Sequence, residues 1–183
     1  MRARDFDPRR LDVPAFAKSA SGLVGECPLP GFTRLSELLV MSDAELLPSP
    51  VRWSAEGRVS AVAGAGSQPT LRLRVEAALP MRCQRCLNAL VVDLTLERQF
   101  VFVADEAAAE RLDEDDEHEV LVLTRELDLH ELLEDELLLD LPLVPRHAVC
   151  PQPLLAAQVA QADDDAAAAH PFAALAALRR DAG

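Results

Sequence analysis

The stretch that decides the fold is TLRLRVEAALPMRCQRCLNALVVDLTLERQFVFV, residues 70–103. Residues 71–79 alternate apolar with mostly charged side chains, which is the pattern of a β-strand with one buried face. Residues 90–103 repeat this pattern. The second strand would bury one face made of Val92, Leu94, Leu96, Arg98, Phe100 and Phe102. We therefore predict two long strands, with Cys83 and Cys86 in the hairpin-like connection between them.

Neighbouring segments extend the predicted sheet. Residues 51–64, VRWSAEGRVSAVAG, read as two extended runs separated by a turn at Glu56-Gly57, and residues 120–124, VLVLT, resume strand character. Arg98 interrupts an otherwise apolar face, so we expect a bulge or the sheet edge there. The pattern predicts a mostly antiparallel sheet or partial barrel, with strands over about residues 51–124.

The strongest helix signal follows the predicted strands. Asp128 and Glu131 match a capping-box pattern, and Pro142 would end the helix. Its apolar face would contain Leu129, Leu132, Leu133 and Leu137. We predict a packed acidic helix over about residues 128–141. Asp12 and Pro14 predict a short helix near the start of the chain.

These elements indicate an α+β fold with short terminal helices in a single domain, residues 1–150. Residues 104–119 carry nine acids and one arginine, which is typical of a solvated, mobile acidic loop. Residues 151–183 would form a flexible linker and a short C-terminal amphipathic helix, which at this length would be marginal alone.

Charge and composition limit the class of partner. The 183 residues carry a formal net charge of −13, which repels nucleic acid at long range and favours a basic protein as partner. The sequence shows neither a membrane-spanning apolar run nor a signal peptide, so we expect no membrane contact and a cytoplasmic location. Cytoplasmic cysteines stay reduced, which argues against a structural disulfide.

The Cys83-Cys86 pair has three interpretations. A thioredoxin-type redox pair needs a helix N-terminus, whereas this pair joins two strands. A structural zinc ion would need two further ligands, and His147 and Cys150 supply suitable chemistry, with Cys27 as a substitute for one of them. The third interpretation is that the cysteines are buried thiols acting as small apolar groups. The spacing leaves the metal site and the buried thiols open.

Acidic residues of the predicted helix are candidates for partner binding. Glu131, Glu134 and Asp135 could form a docking face for a basic protein. A carboxylate pair for acid–base catalysis is the alternative, but no nucleophile or phosphate-binding loop in the sequence supports it.

Arginines flank the cysteine pair and form a candidate RNA contact. They are Arg72, Arg74, Arg82 and Arg85. The guanidinium group suits phosphate recognition, so direct contact with rRNA through this cluster is one hypothesis. The alternative is that these arginines form ion pairs with the protein's own acids, which outnumber its bases.

Three stretches together resemble a known family. They are LPMRCQRCLNAL (residues 79–90), DLHELLEDELLLDLPLVPRHAVC (residues 128–150) and PFAALAAL (residues 171–178). In this order they resemble the bacterial large ribosomal RNA subunit accumulation proteins, also called YceD-like or DUF177. The resemblance covers residues 71–178, and residues 1–70 match only in general layout.

The resemblance implies a small cytosolic, non-enzymatic factor that supports synthesis, processing or stability of 23S rRNA. A basic ribosomal protein or an rRNA-processing factor is the expected partner. The alternatives are a zinc-stabilised interaction module without a ribosomal role, or a thiol redox protein. The family's marked positions, whose roles are not carried over, correspond to Cys83, Arg85, Cys86, Glu134, Glu136, Pro142, Pro145, His147 and Cys150.

Overall fold

The computed structural model describes residues 6–40, 49–112 and 119–151. Most of the predicted linker and the predicted C-terminal helix lie outside these ranges. The described helices and strands are, in chain order, α1 (Val13–Lys18), β1 (Gly22–Cys27), a 3-10 turn (Leu29–Gly31), α2 (Thr33–Ser36), β2 (Val51–Val62), β3 (Gly66–Arg82), β4 (Ala89–Val103), α3 (Glu106–Leu112), β5 (Glu119–Val122) and α4 (Leu129–Asp140).

The strands form one five-stranded sheet in the order β1-β2-β3-β4-β5. The first four strands are antiparallel to their neighbours, whereas β5 runs parallel to β4. The sheet is therefore mixed and does not close, and the fold is α+β. A parallel neighbour requires a crossover connection, and the chain between β4 and β5 contains α3.

The β3–β4 hairpin is confirmed in its expected place. Its register runs without interruption from Thr70 opposite Val101 to Arg82 opposite Ala89. The predicted bulge at Arg98 is wrong, since Arg98 lies in register opposite Leu73. It precedes residues 100–103 of β4, which are the four residues that pair with β5.

Arg98 is accommodated on the apolar face by carboxylates from other elements. Its Nε atom lies 3.2 Å from a carboxylate oxygen of Glu136, and its Nη2 atom lies 3.1 Å from one of Asp140, both on α4. Glu119 at the start of β5 is a third partner at 3.2 Å. The charge is thus paired, so β4 needs no distortion to turn this side chain away from the core.

The predicted turn at Glu56-Gly57 is also wrong, because β2 continues through both residues, with Gly57 opposite Leu71. Gly57 is buried under α1. A Cβ atom there would overlap the ring of Phe16 and lie 3.0 Å from the backbone nitrogen of Ala17. Gly57 therefore permits close packing of a helix on a strand. In the sequence alone, the same glycine suggests a turn.

Half of the predicted acidic loop, residues 106–112 and 119, lies in a helix or strand. Residues 106–112 form α3, where the Asp105 carboxylate accepts a hydrogen bond from Ala108 N at 2.8 Å. Leu112 buries its side chain in a small cluster with Val101 and Val103. Residues 113–118 lie outside the described ranges, and Glu119 already belongs to β5.

The main core lies between one sheet face and the helices. Leu129, Leu133 and Leu137 of α4 are buried in it together with Leu71 and Phe100 of the sheet. Asp128 caps α4 by accepting hydrogen bonds from the backbone N–H groups of His130 at 2.9 Å and Glu131 at 3.2 Å. Among the described residues, no helix is long and apolar enough to cross a membrane.

Candidate metal centre and charged surfaces

The connection between β3 and β4 is a tight turn that begins with Cys83. The backbone N–H of Cys83 donates to the carbonyl of Asn88, and the N–H of Leu87 donates back to the carbonyl of Cys83, both at 2.9 Å. Leu87 takes a φ of +61°, in the left-handed region that is uncommon for a side-chain-bearing residue. These bonds close the turn and fix the spacing of its two cysteines.

The segment after α4 returns to this turn. The backbone N–H of Gln84 donates to the carbonyl of Pro145 at 2.9 Å. The guanidinium of Arg85 donates to the carbonyl of His147 at 3.1 Å. Pro145 is buried, so the chain that leaves α4 packs directly against the cysteine turn.

The His147 ring is oriented by both of its nitrogens. Its Nε2 atom lies 3.1 Å from the carbonyl oxygen of Ala89, and its Nδ1 atom lies 3.4 Å from the Sγ atom of Cys86. A carbonyl can only accept, so Nε2 carries the proton and Nδ1 presents its lone pair towards the cysteines. This is the arrangement of a metal-binding histidine whose second nitrogen is held by an outer hydrogen bond.

The four predicted metal ligands lie together. The sulfur and imidazole nitrogen atoms of Cys83, Cys86, His147 and Cys150 all lie within 4.8 Å of one another. This group could hold a metal ion, and three thiolates with one imidazole form a set that zinc accepts. Cys27 is not in the group. It ends β1 and packs against the main core.

The Cys83 thiol is suited to bind as a thiolate. Burial raises its pKa, but opposing hydrogen bonds lower the pKa to about 5. Those hydrogen bonds come chiefly from the backbone N–H groups of Cys86, His147 and Arg85. The thiolate is the form that coordinates metals, and the side chain is fully buried.

Glu134 is occupied inside the protein. Its carboxylate accepts hydrogen bonds from the backbone N–H groups of Arg34 at 2.6 Å and Leu35 at 2.9 Å. Burial opposes the charged form, but these hydrogen bonds and the Arg34 guanidinium outweigh it and lower the pKa of Glu134. Glu134 therefore caps α2 from a distant part of the chain.

The other two predicted docking acids lie nearer the solvent. Asp135 is half exposed and forms an ion pair with Arg34 at 2.6 Å, whereas Glu131 is exposed in the first turn of α4. Partner binding through these acids stays a prediction, with Glu131 the most accessible of the three.

The arginine cluster divides into two pairs. Arg72 and Arg74 both bind the carboxylate of Glu97, each through its Nε atom at 2.7 Å. Arg82 instead donates to the carbonyl of Leu87 at 3.2 Å, and Arg85 donates to that of His147. The first pair matches the ion-pairing alternative, and the second pair remains beside the candidate metal centre.

Arg146 was not singled out by sequence reasoning. It is exposed and lies between Pro145 and His147, whose carbonyls accept hydrogen bonds from Gln84 and Arg85 of the cysteine turn. Adjacency to a predicted ligand is the signal that could have identified it.

A comparison with protein-family profiles identifies a family that this chain matches. The family profile described as "Large ribosomal RNA subunit accumulation protein YceD" matches residues 71–179. The matched region contains all four candidate ligands, α4 and the segment that returns to the cysteine turn. No curated protein and no solved structure matches the chain.

Proposed function

The chain belongs to the YceD family of large ribosomal RNA subunit accumulation proteins, and we propose that it supports the synthesis, processing or stability of 23S rRNA during large-subunit biogenesis. The observation that carries the proposal is the family match over residues 71–179. We further propose that it acts in the cytoplasm and without catalysis.

The proposed partner is a basic ribosomal protein or an rRNA-processing factor. The net charge of −13 attracts such a protein at long range. Exposed acids such as Glu131 at the start of α4 would meet it. Electrostatic attraction of this kind raises the association rate more than the affinity, which suits a factor that binds and leaves during assembly.

The proposed metal is a structural zinc ion bound by Cys83, Cys86, His147 and Cys150. Four protein ligands would leave no open position for a substrate, so the ion would stabilise the fold rather than act in chemistry. Its effect would be to attach the segment after α4 to the β3–β4 turn.

Two other candidate functions are supported by the same cluster. A metal-stabilised interaction module without a ribosomal role would need the centre and the surfaces but not the rRNA effect. A thiol redox protein would use the low pKa of Cys83, but that thiol is buried, and β4 rather than a helix follows the cysteine pair.

The test is deletion of the gene in its own host, followed by measurement of the ratio of large- to small-subunit rRNA. We expect a selective fall in the large rRNA that the wild-type gene restores. The Cys86→Ser gene should restore it less well than the Cys27→Ser gene, which changes a cysteine outside the cluster. An unchanged ratio at every growth temperature would overturn the ribosomal role and favour the interaction module.

A further inference from the structure

The surface around the candidate metal centre differs in charge from the rest of the chain. We define the basic cap as residues 81–92 and 141–147, MRCQRCLNALVV and LPLVPRH. These two segments contain Arg82, Arg85 and Arg146 and no aspartate or glutamate, although the whole protein carries a net charge of −13. Positive charge is therefore concentrated where the two segments meet.

Hydrogen bonds hold the two segments of the basic cap together. They join Gln84 to Pro145 at 2.9 Å, Arg85 to His147 at 3.1 Å, and His147 to Ala89 at 3.1 Å. The cap is thus a preorganised surface, and a ligand would not have to order it on binding.

The charges of Arg82 and Arg146 in the cap differ in their surroundings from those of the sheet arginines. Within residues 6–40, 49–112 and 119–151, neither Arg82 nor Arg146 forms an ion pair with a carboxylate. Arg72 and Arg74, by contrast, share Glu97. Arg82 and Arg146 thus retain positive charge that an anionic ligand can use.

Exposed aliphatic side chains lie in the same two segments. Leu143 is 100% exposed, Leu87 61% and Val144 53%. Apolar surface next to guanidinium groups fits a ligand that combines negative charge with apolar faces. Unpaired RNA has both, since its phosphates match the guanidinium fork and its splayed bases offer apolar faces.

We propose that the basic cap binds single-stranded RNA, with Arg82, Arg85 and Arg146 on phosphates and Leu87, Leu143 and Val144 beside bases. The inference rests on the proposed function, which supplies RNA as the anionic partner. The acids lie at the start of α4, and the second cap segment begins at its end. This 12-residue helix is about 18 Å long. One molecule can then hold RNA at the cap and a basic protein at the acids.

The test is a titration of the zinc-loaded full-length protein into a fluorescein-labelled single-stranded oligoribonucleotide, followed by fluorescence anisotropy at several salt concentrations. Each phosphate contact on a single strand contributes a slope of about −0.7 to log K against log salt, so three contacts give about −2. We expect Arg82→Gln/Arg146→Gln to weaken binding and reduce the slope by about 1.4, for two lost contacts.

Matched controls separate the cap from total charge and from folding. Arg72→Gln/Arg74→Gln removes the same two charges on the sheet and should bind as wild type does. Arg82→Lys/Arg146→Lys keeps the charges and should retain most of the salt slope. Zinc content and thermal midpoint verify that each variant folds. The single variant Arg146→Gln tests the cap without removing the hydrogen bond from Arg82 to Leu87.

Equal weakening by the cap and sheet variants would overturn the proposal, as would binding without salt dependence. A wild-type protein that binds a basic ribosomal protein but not the oligoribonucleotide would also overturn it. The deletion strain separates this outcome from the proposed function. If Arg82→Gln/Arg146→Gln fully restores the rRNA ratio, the cap proposal fails while the ribosomal role stands, whereas a ratio unaffected by deletion removes the ribosomal role itself.

Discussion

The Nδ1 atom of His147 lies 3.4 Å from the Sγ atom of Cys86, across 61 residues of sequence. Two ligands of one tetrahedral zinc ion, with ordinary Zn–N and Zn–S bonds, would be about 3.6 Å apart. The observed separation is therefore close to what a shared ion requires. The hydrogen bond from Nε2 to the carbonyl of Ala89 leaves Nδ1 as the coordinating atom.

Purified protein is expected to contain one zinc ion per chain, and Cys86→Ser should lose it. A ligand present at a thousand times its dissociation constant stabilises the folded state by about 4 kcal/mol, which is about 10 °C in thermal midpoint for a chain of this size. Metal analysis and thermal unfolding with and without a chelator measure both effects. Cys27→Ser is the control, and equal zinc content in the two variants would contradict the metal centre.

His147→Gln is expected to abolish metal binding while keeping the contact to Ala89. The glutamine amide nitrogen reaches about as far as Nε2 and can donate to the same carbonyl, but it places no ligand atom at Nδ1. His147→Cys should retain binding, because it supplies a fourth thiolate. Cobalt substitution distinguishes the two variants, since a cobalt ion bound at a tetrahedral thiolate site absorbs visible light. A wild-type spectrum from His147→Gln would show that the imidazole is not a ligand.

Strand patterns and the chemistry of metal ligands could be predicted from the sequence. The period-two alternation of residues 71–79 and 90–103 identified β3 and β4, and ligand chemistry alone grouped Cys83 and Cys86 with His147 and Cys150. The first inference depends on a local pattern, whereas the second depends on the residue types that zinc accepts, although Cys86 and His147 are 61 residues apart. The strand β1 was missed because a six-residue segment with two glycines gives little strand signal.

Apart from the ligand cluster, contacts between distant segments could not be predicted. Gly57 resembles a turn residue until Phe16 is placed above it, and Arg72 and Arg74 appear available to RNA until the sheet register brings Glu97 to them. Glu134 was assigned to partner binding because the sequence does not show which segment packs against it. Its hydrogen-bond partner is the backbone of α2, 100 residues away.

Glu134→Gln is expected to destabilise the protein by about 2 kcal/mol at neutral pH, since hydrogen bonds to a charged acceptor contribute about 1.5–3 kcal/mol. The folded-state pKa of Glu134 is lowered. Its stabilisation is therefore present above the unfolded pKa of about 4.3 and is lost as the pH falls through the lower folded value. The difference between wild type and variant should shrink below about pH 4.

Urea unfolding across this pH range measures that difference. Glu131→Gln is the matched control, because it removes a charge from the same helix at an exposed position and should change stability by less than about 0.5 kcal/mol. If the two variants were equally stable at neutral pH, Glu134 would not cap α2.

Gly57→Ala is expected to destabilise the protein by about 1–3 kcal/mol, because the added methyl overpacks the contact between α1 and β2. It would overlap the Phe16 ring and approach Ala17 N to 3.0 Å, so the helix must shift outward. Gly22→Ala is the matched control, since the nearest atom to its Cβ would be the Ala55 carbonyl oxygen at an ordinary 3.7 Å. Urea midpoints compare them, and a Gly57→Ala protein as stable as Gly22→Ala would mean that α1 does not lie against the strand at this point.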